Sequence, residues 1–102
     1  MHRLTVQYFE PQDAQAFDAQ YAERHVPLVH ALPGLKRFST LKPSALGPSA
    51  SPYLVAQLDF ADEASLDSCM RSEAMAKTAA DAQTLEVSSM VMFVGEVVEP
   101  AR

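Results

Sequence analysis

His25 is the residue best suited to chemistry in this sequence, and Tyr21, one helical turn earlier, is the side chain placed to help it. Imidazole gains and loses a proton near neutral pH. On the apolar side of a helix, partly shielded from water, it can serve as a general acid or base toward a bound molecule. A phenol four residues before it shares that face and can orient the molecule or donate a hydrogen bond. Each residue also has a plainer role. A histidine on an apolar stripe can simply satisfy hydrogen bonds in the core, and Tyr21 can be a core aromatic. A third chemistry open to His25 is axial ligation of haem. No second ligand clusters near it for a zinc-type site, so no metal and no cofactor is expected. Cys69 is the single cysteine. It excludes an internal disulfide and a cysteine-rich zinc site, and it reads as a small helix residue. His2 and His30 are expected at the surface. Asp59 is expected to form a surface pair with Arg3 or Arg37, and Asp81 to serve the end of a helix. Met70, Met75, Met90 and Met92 are expected to fill the core, and they also suit an adaptable apolar pocket.

Several elements must position this pair. Over residues 14–32, Ala14, Phe17, Tyr21, Leu28 and Leu32 fall on one stripe at about 100° per residue. His25 lies inside that stripe, whereas Glu23 and His30 turn away from it. Pro27 lacks an N–H, which frees the Glu23 carbonyl from its usual helical bond and biases Val26 away from helical geometry. A kink, or two short helices meeting near His25 and Val26, is expected. Pro33 and Gly34 then stop the helix.

The remaining segments supply a sheet and more helix. Residues 2–9 alternate, with Leu4, Val6 and Tyr8 on one face. Residues 35–42 form a short, polar strand suited to an edge. Residues 43–52, rich in proline and serine, form a hairpin connection. Residues 53–60 form the clearest strand, with Leu54, Ala56, Leu58 and Phe60 opposed to Tyr53, Val55, Gln57 and Asp59. Asp62 caps a helix over 63–70, and Ser72 caps another that ends near Gln83. Residues 88–98 are apolar on both faces.

The order β-α-β-β-α-β predicts an α+β fold. It is a ferredoxin-like sandwich, with a four-stranded antiparallel sheet and helices on one face. The other face carries Thr5, Phe9, Tyr53, Val55, Gln57 and one apolar row of the last strand, which is more apolar than a solvated face usually is. A second copy packed sheet to sheet is the simplest cover, so a homodimer through the open sheet face is expected.

The totals agree with a small globular protein. The chain has 102 residues, 48% of them hydrophobic and 21% charged. It reads as one domain over 1–102, with one core. The net charge of −5, with no basic block, excludes nucleic acid and anionic membrane as partners. The first residues lack the apolar run of a signal peptide, and no segment approaches membrane-spanning length. A cytoplasmic location is expected.

The string His25-Val26-Pro27-Leu28-Val29, followed by Leu32-Pro33-Gly34-Leu35, resembles the EthD family, named for ethyl tert-butyl ether degradation, of the dimeric α+β barrel superfamily. The preceding helix with Phe17 and Tyr21 fits. So does the stretch Ala79-Ala80-Asp81-Ala82-Gln83-Thr84-Leu85 leading to Met92-Phe93-Val94-Gly95-Glu96. The resemblance covers nearly the whole chain. It departs at Gln57-Leu58-Asp59-Phe60, where family members often carry a Trp or another aromatic residue. It implies two four-stranded sheets forming a barrel and a small apolar pocket between sheet and helices. Superfamily relatives include cofactor-free monooxygenases, cyclases, isomerases, haem-degrading enzymes and stress-response proteins. The expectation is a dimer that binds a small apolar or aromatic metabolite, with His25 as acid/base and Tyr21 as orienting group. The reaction would be a cofactor-independent oxidation, cyclisation or isomerisation. The alternative is a non-catalytic binding or stress-response module whose dimer is its function.

Overall fold

The computed structural model describes residues 1–101. Four strands, β1 (His2–Pro11), β2 (Leu35–Leu41), β3 (Leu54–Phe60) and β4 (Val87–Glu96), form one sheet in the order β2-β3-β1-β4. Every neighbouring pair is antiparallel. The helices α1 (Ala14–Gln20), α2 (Val26–His30), α3 (Glu63–Met70) and α4 (Glu73–Ala82) supply the second layer. The α+β ferredoxin-like architecture expected from the sequence is therefore present.

The alternation of β1 sets the core. Leu4, Val6 and Tyr8 pair with Leu58, Ala56 and Leu54 on β3 and with Val94, Met92 and Met90 on β4. This row faces the helices, where Phe17, Tyr21, Val29, Leu32, Leu66 and Met75 are buried against it. The caps lie where the sequence put them. Asp13 accepts from the Ala16 N–H at 3.1 Å, Asp62 from Ser65 at 2.8 Å, and Ser72 from Met75 at 3.1 Å.

The long helix differs from the expectation in an informative way. Between α1 and α2 the chain makes a π-helical turn, Tyr21–His25, in which the Val26 N–H reaches back to the Tyr21 carbonyl. A bond spanning five residues takes up an extra residue without breaking the helix. Val26 itself stays helical, with φ −55° and ψ −45°, so the bias of a residue preceding proline does not prevail. Pro27 enters α2 in its first turn, where a missing N–H costs little. Gly34 follows with φ +79°, the left-handed conformation that turns the chain into β2.

Tyr53 is the clearest departure. It precedes β3 rather than joining it, and its ring meets Phe17 edge-on at 5.5 Å. Its hydroxyl donates to both carboxylate oxygens of Asp18, at 2.9 and 3.0 Å. It belongs to the helix side, not to the open face.

That open face carries Thr5, Gln7, Val55 and Gln57, flanked by Val91 and Phe93 on β4. Asp59 pairs with Arg3 in a two-pronged contact of 2.6 and 3.1 Å. The pair was expected at the surface, but Asp59 is 6% exposed, because its long neighbours fold over it. The Arg3 guanidinium, with help from Arg37, holds the Asp59 carboxyl below its usual range. A depressed carboxyl stabilises the fold above the ordinary carboxylate range, and that stability disappears as pH falls through the folded value. Acid melts of Asp59→Asn are accordingly expected to show a shallower loss of stability below pH ~4 than the parent protein. Identical acid limbs would show that the pair contributes nothing.

On β4, Val91, Met92, Phe93 and Val94 are all about half exposed, so this edge strand is apolar on both faces. Among the described residues, no helix is long and apolar enough to cross a membrane.

Candidate functional site

Tyr21 and His25 open and close the π-helical turn, and both are buried. Their ring centroids lie 5.2 Å apart. Tyr21 is gripped by other aromatics. Phe17 stacks on it at 5.7 Å with planes 13° apart, and Tyr8 meets it edge-on, also at 5.7 Å. This clamp fixes the phenol ring. The Tyr21 hydroxyl is buried and has no hydrogen-bond partner among the described residues. Burial pushes the Tyr21 phenol well above its ordinary value, so it stays protonated and able to donate. Burial, with the nearby Asp81 charge, pushes Tyr8 up to about 12.

The partner of His25 comes from α4. Nδ1 of His25 lies 3.0 Å from Oδ2 of Asp81, and the Arg24 guanidinium donates to the other carboxylate oxygen at 2.8 Å. Both members of the His25–Asp81 pair are buried. A carboxylate can only accept, so Nδ1 carries the hydrogen, and in the neutral imidazole Nε2 is left with its lone pair. Asp81 was expected merely to serve the helix end. Its backbone carbonyl does take a bond from Thr84 Oγ at 2.6 Å, but its side chain orients the imidazole. Met75, Thr78 and Asp81 form the buried face of α4. A carboxylate on such a face needs a buried partner.

Tyr8, Tyr21 and His25 border a cavity of about 220 Å³ between helices and sheet, with Asp81 behind the imidazole. Leu4, Val6, Tyr8 and Ala56 form its floor, with Tyr21, His25 and Val29 on one wall and Met75, Thr78 and Ala79 on the other. Met70 and Met92 line it and are also 41% and 55% exposed, which places its mouth beside β4, beyond the cover of the helices. The lining is mostly apolar, and its polar groups come from Tyr8, Tyr21, His25, Thr78 and Gln83. The volume does not admit a porphyrin unless the walls move. Among the described residues, no three His, Cys, Asp or Glu side chains gather to hold a metal. Cys69 is buried in the core, and His30 is exposed with its ring edge-on to Phe38. His2 is half-buried near Glu63, 3.7 Å away, and does not line the cavity.

Comparison with known proteins places these residues in a family. The EthD domain model matches residues 10–85, a span that contains Tyr21, His25 and Asp81. The chain belongs to the EthD family. An EthD family protein from Bacillus halodurans C-125 superposes with a TM-score of 0.85 at 30% identity, covering 96% of this chain and 99% of that one. An uncharacterized 11.0 kDa protein from the thcB-thcC intergenic region of Rhodococcus erythropolis is 37% identical over 94 residues, 91% of each chain. SnoaB, a cofactor-independent oxygenase from Streptomyces nogalater, superposes with a TM-score of 0.65 at 17% identity, covering 97% of this EthD chain and 95% of its own. At that identity the likeness is one of fold.

Proposed function

We propose that this EthD protein binds a small apolar or aromatic metabolite in the helix–sheet cavity, with His25 as acid/base and Tyr21 as the group that orients the ligand. The observation that carries this reading is His25 at the wall of a mostly apolar cavity, backed by buried Asp81 with 3.0 Å between Nδ1 and Oδ2. A carboxylate behind an imidazole fixes its tautomer and steadies the imidazolium formed when Nε2 takes a proton. The reaction would be a cofactor-independent oxidation, cyclisation or isomerisation, and SnoaB shows that this fold hosts cofactor-independent oxygenation.

A homodimer through the open sheet face completes the proposal. It is supported by the exposed apolar row of β4 and by a dimeric ferredoxin-like protein from Thermobifida fusca among proteins of similar fold. A cytoplasmic site of action suits a chain whose one cysteine is a buried free thiol.

His25→Ala tests the reading. Turnover of a ligand found by thermal-shift screening is expected to fall by about 10²–10⁴-fold, the usual share of a general acid or base. A large drop in melting temperature with unchanged binding and turnover would assign His25 to the core alone. Tight binding by the parent protein with no turnover would favour the non-catalytic binding module.

A further inference from the structure

We infer that the cavity selects a compact phenol or enol, whose hydroxyl donates to Nε2 of His25 while its oxygen accepts from the Tyr21 hydroxyl. This deepens the proposed function and rests on it, since the cavity must be the ligand site. Three observations carry it.

The first is the unpartnered Tyr21 hydroxyl, enclosed beside the cavity that the Tyr21 ring lines, where a ligand oxygen meets it once the ring shifts toward the cavity. A buried donor left unmade is unfavourable, and a ligand oxygen would satisfy it. The second is the tautomer of His25. With Nδ1–H committed to Asp81, Nε2 presents a lone pair. The neighbouring rings, 5.2 Å apart, therefore offer one donor and one acceptor. The third is size. An apolar cavity of about 150 Å³ holds benzene. The 220 Å³ here takes a ring with a few substituent atoms within its walls.

Other small ligands match the pair less well. A ketone or aldehyde satisfies Tyr21 and leaves Nε2 unmet. A carboxylate has no hydrogen for Nε2 and brings a second negative charge close to Asp81. An ammonium ion cannot accept from Tyr21. A hydroxyl does both, and a phenolic or enolic one is also acidic enough to give up its proton. The O–H bond of the ligand then breaks, the proton forms a bond to Nε2, and the electron pair stays on the ligand oxygen. The resulting charges balance: the imidazolium lies between Asp81 and the ligand anion, and the Tyr21 O–H donates to the anion. No side chain changes oxidation state, and no other reactant is needed for this step.

A matched pair of probes tests this with the whole protein: 4-nitrophenol and nitrobenzene, which differ only by the hydroxyl. Calorimetry is expected to give at least ~10-fold tighter binding of 4-nitrophenol, the value of one or two hydrogen bonds. The yellow absorbance of nitrophenolate is expected to appear in the complex at a lower pH than in free solution. Tyr21→Phe should bring the two affinities within about threefold of each other. His25→Gln should abolish the shift in ionisation while the chain still melts cooperatively. Equal binding of both probes by the parent protein would overturn the inference and leave the cavity reading intact. Failure of both probes to bind would overturn both. Tight binding of 4-nitrophenol only as the neutral phenol would overturn the proton transfer.

Discussion

Asp81→Ala is expected to lower the melting temperature by roughly 10–20 °C, the effect of about 2–3 kcal/mol in a domain of this size. The figure follows from where the partners lie. Asp81 and His25 are both buried, and Asp81 is the acceptor for Nδ1. Removing the carboxylate strands that N–H in the core, which costs about 1–3 kcal/mol, and a small void adds to the loss. Arg24 is different. Its side chain is 59% exposed, so it can turn to water when its partner disappears. Arg24→Ala should accordingly cost less than ~1 kcal/mol. Asp81→Asn separates the structural from the chemical contribution. An amide oxygen can still accept from Nδ1–H, so most of the stability is retained, but the charge that steadies an imidazolium is lost. Melting and turnover should therefore part company in Asp81→Asn and fall together in Asp81→Ala. A melt of Asp81→Ala within ~3 °C of the parent would mean that the pair does not hold the two helices in register.

Phe93→Asp is expected to convert the proposed dimer into a monomer. Phe93 sits opposite Thr5 on the open face and is 51% exposed in the single chain. In a two-fold interface each substitution counts twice. Loss of the ring's burial and the desolvation of a new carboxylate come to at least ~2 kcal/mol per subunit. The dimer constant should therefore weaken by about 10³-fold. Sedimentation of parent and variant decides the matter. A parent chain that is monomeric at high micromolar concentration, or a variant that dimerises as the parent does, would discard the sheet-to-sheet interface. Thermal stability of the separated subunit is expected to change little, because Phe93 lies outside the core cluster.

Most of the architecture was legible because it rests on local rules. The period-two alternation of β1 and the caps at Asp62 and Ser72 each carry their own signal, and all three appear as read. The polarity of β2 likewise gave its edge position. What escaped the reading depends on distant partners. Tyr53 alternates correctly with the strand beside it, yet a carboxylate 35 residues earlier and the Phe17 ring draw it to the helix side. The π-helical turn is invisible to a stripe drawn at 100° per residue, because Tyr21 and His25 share a face in either register. Asp81 was the larger miss. It reads as an ordinary helix-end carboxylate until the fold brings it to His25, 56 positions away in sequence. His25 and Tyr21 were legible as candidates because they interrupt or extend an apolar stripe. The geometry that joins them to Asp81 was not.

The pairing of β1 with β4 also constrains the order of assembly. Leu4 meets Val94 and Val6 meets Met92, so the cavity floor and its mouth are joined by strands far apart in the chain. Closing a loop of that length precedes any reward from the contacts it makes, which slows folding in sheets with distant partners. During synthesis the apolar row of β1 stays open on one side until β4 leaves the ribosome. A ligand that contacts Met90 and Met92 would stabilise the chain only once β4 has docked.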